Sequence, residues 1–307
     1  MPIASSSSVR LKFWGVRGSI PVPGPGTLRY GGNTTCVELR ADGEIIVLDA
    51  GSGIRLLGME LQKEFGEQPI KMSLLITHAH WDHIQGLPFF FPGYKPSSEI
   101  RIVGYGGSQT GLKEILSEQM SMPFFPVRLR DLQGKMEIEE LNEMEFALGK
   151  VRVRAKFLNH PGICAGYRLF TEQASIAFLP DNEPYQKHLQ QIAESENLDL
   201  EEARKNAEME RASLIEFLRG SDVLILDTQY TDEEYDAHIG WGHGSISTSV
   251  AHALDADVRK LVLFHHDPTH DDDFVDKMVA DARALVARND KKLEIVGARE
   301  GEEFLLG

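Results

Sequence analysis

Cysteine is scarce in this sequence: of 307 residues only Cys36 and Cys164 carry a thiol. Two thiols cannot build a disulfide framework, so a reducing, cytoplasmic setting is expected, with both side chains buried as small apolar groups. Long hydrophobic runs are missing too. Leu87–Phe91 and Leu261–Phe264 fall far short of the roughly 20 residues that span a bilayer. The opening MPIASSSSVR lacks the apolar stretch of a signal peptide, and no membrane partner is expected. Positive charge is also in deficit: 32 Lys and Arg against 47 Asp and Glu leave a net charge of −15. An acidic surface repels polyanions, so the expected partner is a small anionic substrate and no long nucleic acid. Bound divalent cations would reverse the field locally and keep a small anion compatible.

What is present reads as an ordinary globular chain, with 42% hydrophobic and 26% charged residues and enough length to bury a large core. Residues 1–8 are expected to be a disordered, Ser-rich lead-in. Arg10–Trp14 reads as a strand and is followed by a Gly/Pro-rich loop from Gly15 to Gly32. Cys36–Ala50 reads as a hairpin turning at Asp42-Gly43. Further strands are expected at Ser73–Thr77, Ile100–Gly104, Val151–Leu158, Ser175–Leu179, Val223–Asp227, Lys260–Phe264, Leu293–Val296 and Glu303–Leu305. Helical spacing marks Ile54–Phe65, Leu112–Gln119, Ser247–Leu254 and Phe274–Arg288. Residues 185–219 are rich in Glu, Lys, Gln, Ala and Arg and predict one or two surface helices, a candidate dimer surface or lid. This pattern predicts one α/β domain over residues 9–307, with 185–219 as a helical insertion.

The densest chemistry lies in Thr77-His78-Ala79-His80-Trp81-Asp82-His83, directly after an apolar strand. Imidazole nitrogen and carboxylate oxygen bind zinc and similar ions at about 2.0–2.2 Å. In an extended stretch His78 and His80 project to one side, because side chains alternate with period two. A turn then brings Asp82 and His83 round to a second ion.

HAHWDH resembles the His-x-His-x-Asp-His signature of the metallo-β-lactamase superfamily. Other segments are similar to that family in the same order. Leu48-Asp49-Ala50-Gly51 resembles its early Asp-Gly element, Asn159-His160-Pro161 its third motif, Leu179-Pro180-Asp181 its fourth and Leu263-Phe264-His265 its last. The resemblance implies a four-layer αββα sandwich and a structural role for Asp49. It also implies two divalent metals, zinc first with manganese or iron as alternatives, held by His78, His80, Asp82, His83, His160, Asp181 and His265. Asp181 would bridge both. Independently of the family, each of these segments follows an apolar strand, the context in which strand ends converge at one rim of a sheet. His266, beside His265, leaves a register ambiguity.

Ile84-Gln85-Gly86-Leu87-Pro88 and Gly31-Gly32-Asn33-Thr34 resemble the branch that contains ribonuclease Z, the phosphonate-pathway cyclic phosphodiesterase and the class II cyclic-nucleotide phosphodiesterases. The chain departs from ribonuclease Z where Asp227 replaces the first His of its His-Glu-Ala-Thr element, and where Gly244 intervenes between His243 and Ser245. The function implied is hydrolysis of a small phosphodiester, a cyclic nucleotide first, by a metal-bridging hydroxide. Asp82 would help orient that hydroxide, and Asp227 would orient His243 as proton donor. The alternatives are a tRNA 3′-processing endonuclease and a lactone, lactam or ester hydrolase, with a non-hydrolytic di-iron sensor or redox module more remote. Trp241 beside His243 is a candidate base-stacking group, and Arg17 and Arg29 could meet a phosphate. A homodimer is left open.

Overall fold

Strand residues that alternate between two buried faces need a layer on each side, and this requirement sets the architecture. The computed structural model describes residues 8–107, 109–185, 193, 199–288 and 291–307. Two seven-stranded sheets face each other. The first contains β1 (Val9–Gly15), β2 (Cys36–Ala41), β3 (Glu44–Leu48), β4 (Lys71–Ile76), β5 (Glu99–Gly104), β6 (Lys135–Glu140) and β14 (Glu303–Leu306), in the order β14-β1-β2-β3-β4-β5-β6. The second contains β7 (Glu145–Leu148), β8 (Val151–Phe157), β9 (Ala165–Phe170), β10 (Ser175–Leu179), β11 (Val223–Asp227), β12 (Lys260–Phe264) and β13 (Glu294–Gly297), in the order β13-β12-β11-β10-β9-β8-β7.

Period-two alternation feeds the layers. Ile176, Phe178, Val262 and Phe264 point into the space between the sheets and meet Phe13, Leu39 and Leu48 there. Ala177, Leu179, Leu261 and Leu263 point the other way, onto helices. Burying one such Phe or Leu contributes about 1.5–3 kcal/mol, so both faces are strongly specified. The helices α1 (Ile54–Phe65), α2 (Trp81–Ile84) and α3 (Leu112–Glu118) lie with the first sheet. Helices α4 (Leu200–Leu218), α6 (Ile246–Asp255) and α7 (Asp272–Ala287) cover the second, and the short α5 (Asp232–Tyr235) follows β11. The result is the expected αββα order.

Helix α1 buries Ile54, Leu57, Gly58 and Leu61 and stops at Gly66, where φ of 50° ends the ladder in the left-handed region. Of the region 185–219, read as one or two surface helices, the described residues hold the helix α4. Helix α4 buries Ala203, Ala207, Leu214, Ile215, Phe217 and Leu218, so its apolar stripe is a core face. Residues 186–192 and 194–198 of that region, and residues 1–7 of the lead-in, lie outside the described residues. No helix among the described residues is long and apolar enough to cross a membrane.

Strands β10, β11, β12 and β13 are mutually parallel, and β8 runs the same way because it is antiparallel to β9, which is antiparallel to β10. In the first sheet β3, β4, β5 and β6 are parallel. The carboxyl ends of β4, β8, β10, β11 and β12 therefore open onto a shared rim, where open α/β sheets place ligands.

Candidate metal centre

The rim is entered first through β4. Its apolar run ends at Ile76, and Thr77 is held by Asp49 through its backbone N–H (2.8 Å) and hydroxyl. Asp49 follows β3 in the left-handed region, φ 61°, a cost that persists only where surroundings over-determine it. The same carboxylate meets His83 Nδ1 at 2.7 Å, which leaves Nε2 to face the rim. His80 is extended, φ −64° and ψ 151°, and its ring lies 4.4 Å from that of His78, the same-side placement that period two requires. Asp82 and His83 then turn inward on α2 and are buried.

Asp181, two residues beyond β10, is the hub. Its Oδ1 lies 3.1 Å from His83 Nε2 and 3.4 Å from His265 Nε2. Its Oδ2 lies 3.6 Å from His78 Nε2 and 3.5 Å from His160 Nε2. Asp82 Oδ2 lies 3.1 Å from His265 Nε2 and 3.3 Å from His83 Nε2, and accepts the Ser19 N–H at 2.7 Å. Besides a third set of Asp181, His243 and His265, two groupings of the predicted ligands result among the described residues, each with its ligand-type atoms within 4.8 Å of one another: His78, His80, His160 and Asp181, and Asp82, His83 and His265. One carboxylate thus presents a different oxygen to each. All seven sequence-predicted metal residues meet here, and the register ambiguity at His266 resolves: its Nε2 faces the Ala298 carbonyl at 2.9 Å, away from the rim.

The donor set fits divalent cations. His78 Nε2, His83 Nε2 and Asp181 Oδ1 are buried without a hydrogen-bond partner, a costly state for polar atoms unless something electropositive satisfies them. Burial, with His83 next in effect, holds the His78 pKa well below its usual range, and burial likewise lowers His160 and His80. Neutral imidazole is the ligand form. Burial opposes charge on Asp181, but His265, His83, His78 and His160 outweigh it and keep the carboxyl ionised.

Behind the rim, β11 ends on Asp227 and a loop brings in His243. His243 Nδ1 lies 3.0 Å from Asp227 Oδ2 and 3.9 Å from Asp181 Oδ2. Its ring stacks on His265 at 4.8 Å and tilts against His160 at 5.3 Å. Burial opposes protonation, yet the Asp227 carboxylate prevails and pushes His243 up to about 9.

Other residues fall differently from expectation. Arg17 is fully buried and donates to the carbonyls of Gly31 (2.8 Å), Asp267 (3.1 Å) and His270 (2.7 Å). Arg29 pairs with Asp273 and Asp276 on α7. Both side chains are therefore committed to protein groups. Trp241 and Trp81 are exposed. One contributor escaped sequence reasoning: Gln229 Oε1 meets His265 Nδ1 at 2.9 Å, and its amide donates to Asp267 at 2.9 Å. Its place two residues beyond Asp227, just past a strand end, was the available signal.

Residues 45–201, just over half the chain, match the family model described as a beta-lactamase superfamily domain. The chain is 24% identical over 288 residues to ribonuclease Z of Natronomonas pharaonis, covering 84% of this chain and 87% of the relative. It is also 24% identical over 304 residues to ribonuclease Z of Thermoplasma acidophilum, at 91% and 92% coverage. Among solved structures, the metallo-beta-lactamase fold protein YhfI from Bacillus subtilis superposes with a TM-score of 0.65 at 16% identity, covering 97% of this chain and 99% of that one. Human tRNase Z, short form, superposes with a TM-score of 0.56 at 19% identity, covering 96% and 98%.

These relatives overturn the expectation that excludes long nucleic acid. Net charge averages over the whole surface, whereas cations at a rim set the field where a phosphate would bind. A balance of −15 is thus no bar to an RNA substrate. With its two facing sheets, its strand-end cluster and its matched domain, the chain belongs to the metallo-β-lactamase superfamily of metal-dependent hydrolases, on the branch that includes ribonuclease Z.

Proposed function

We propose that this chain cleaves RNA phosphodiester bonds, using two divalent cations and an imidazole acid. His78, His80, His160 and Asp181 would hold one cation, and Asp82, His83, His265 and the second oxygen of Asp181 the other. The nitrogen-rich donor set favours zinc, with manganese or iron as alternatives. When bound, such a pair supplies a water of lowered pKa and neutralises charge on the phosphoryl oxygens. The chain's own residues do the rest. Asp82, fixed by the Ser19 N–H, orients the nucleophile. His243, charged by Asp227, delivers a proton to the leaving ribose oxygen.

The observation that carries this reading is the buried His243–Asp227 pair set against both groupings. An alkoxide leaves poorly unless protonated, so a placed acid serves an ester of a sugar hydroxyl. RNA ranks first because the relatives named ribonuclease Z align along most of both chains. A second reading, a small phosphodiester such as a cyclic nucleotide, draws on burial: of the seven metal-type residues only His80 is exposed. A compact substrate suits approach from that side.

The test is His243→Ala on metal-loaded protein, with a precursor RNA bearing a 3′ extension, a cyclic nucleotide, an aryl phosphodiester and a β-lactam as substrates. We expect kcat on RNA to fall about 100- to 10,000-fold with both metal equivalents retained. Loss of metal along with activity would make His243 a ligand instead of an acid. Turnover of the β-lactam alone would refute phosphodiester cleavage, and turnover of the cyclic nucleotide but not RNA would select the second reading.

A further inference from the structure

Glu183 stands two residues beyond Asp181 and is 2% exposed, yet none of the metal-type groupings includes it. Its carboxylate gathers donors from the end of α5 and from the loop after it. Oε1 accepts from the Tyr235 hydroxyl at 2.6 Å and the Gly240 N–H at 3.0 Å, and Oε2 accepts from the Gly242 N–H at 2.7 Å. Gly240 and Gly242 have φ of 94° and 90°, left-handed values that glycine adopts freely. Those turns aim two N–H groups at a single carboxylate, a small anion nest filled by the protein itself.

Gly242 also faces the metal rim. Its carbonyl lies 2.9 Å from His160 Nδ1. Accepting from that nitrogen fixes the tautomer in which Nε2 is free to bind a cation. Nε2 is accordingly turned to His80 Nδ1 at 3.0 Å and Asp181 Oδ2 at 3.5 Å. The fit is close: a Cβ on Gly242 would stand 2.2 Å from His160 Nδ1. The other grouping has separate supports, Asp49 behind His83 and Gln229 behind His265.

We propose that Glu183 is a positioning residue for one cation position of the two, acting through the Gly240–Gly242 loop on His160. The position built on Asp82, His83 and His265 keeps its own supports and does not depend on Glu183. This rests on the two-cation reading above. The role requires a carboxylate, because the site receives at least three donors from the described residues. The amide of Glu183→Gln would set an N–H against one of them.

Stepwise Zn2+ binding to the full-length protein, measured by competition with a chromophoric chelator, tests the proposal. Glu183→Gln should raise one of two dissociation constants by about 10- to 100-fold and leave the other within about twofold. Gly242→Ala presses on His160 with the carboxylate intact, and should weaken the same single step. Tyr235→Phe removes one of these donors and should have a smaller effect in the same step. If Glu183→Gln does not fold, the latter two variants decide the matter. Two wild-type equivalents whose dissociation constants rise together, or do not change, in the variants would overturn the role of Glu183 alone. A wild-type protein that binds fewer than two equivalents would remove the two-cation reading and this proposal with it.

Discussion

Imidazoles at the rim are steered through Nδ1: His83 by Asp49, His265 by Gln229, His160 by the Gly242 carbonyl and His243 by Asp227. Each such partner fixes a tautomer and a ring plane before any ligand arrives, which is how a cluster is preorganised. A different buried imidazole gives a residue-scale prediction. His252 on α6 is 3% exposed, and burial, assisted by Arg211, lowers its pKa to about 4 from an ordinary 6.5. Between those values the unfolded chain takes up a proton that the folded chain refuses, so stability falls as pH drops from 6.5 to 4. It is unaffected above that window and fully reduced below it. The effect is about 3 kcal/mol at most. Thermal melts of His252→Leu should show a flatter dependence on pH across that window than the wild type, and parallel slopes would refute it.

Elements are tied to the rim by groups that are not ligands. Arg17 follows β1, bridges in the backbone to Thr34 and His266, and spends its guanidinium on the turn carbonyls of Asp267 and His270 between β12 and α7. Burial lowers its pKa, with Asp272 the main opposing influence. Arg17→Met fills similar space but leaves two buried carbonyls and one part-buried carbonyl without this donor. We expect a loss of about 3–5 kcal/mol in urea unfolding, and a loss below about 1 kcal/mol would show that the staple is dispensable. Element boundaries were legible where the apolar pattern was strong. Helix α1 matches its predicted bounds, and the hairpin turns at Asp42-Gly43 as read. Strand β9 was not read, because Gly166 and Arg168 interrupt its apolar run, and neither were β6 and β7. The latter two are edge strands with Lys135, Glu137, Glu139, Glu140 and Glu145 along them, and charge on an edge guards against unwanted pairing while it hides the strand from a hydrophobic search.

Across the whole molecule, the rim concentrates imidazoles and carboxylates that the fold alone leaves partly unsatisfied. Cation binding should therefore stabilise the chain as well as activate it. Chelation should lower the melting temperature, and the restored stability should grow with free cation, reaching about 4 kcal/mol at a thousandfold excess over Kd. A melting temperature that is the same in metal-loaded protein and in chelator-treated protein verified metal-free by elemental analysis would contradict a cation site at this rim.

The sequence by itself determined the alternation that buries both sheet faces, most strands and helices, and the ligand-rich HAHWDH turn, because these depend on residues close along the chain. Resemblance extended the reading to His160, Asp181 and His265. Only the tertiary structure decided that Asp181 offers one oxygen to each grouping, that His266 turns to the Ala298 carbonyl, that Arg17 is a buried staple, and that Glu183 and Gln229 stand behind the rim. Those outcomes depend on parallel strand register and on the paths of loops far apart in sequence. No local pattern encodes them.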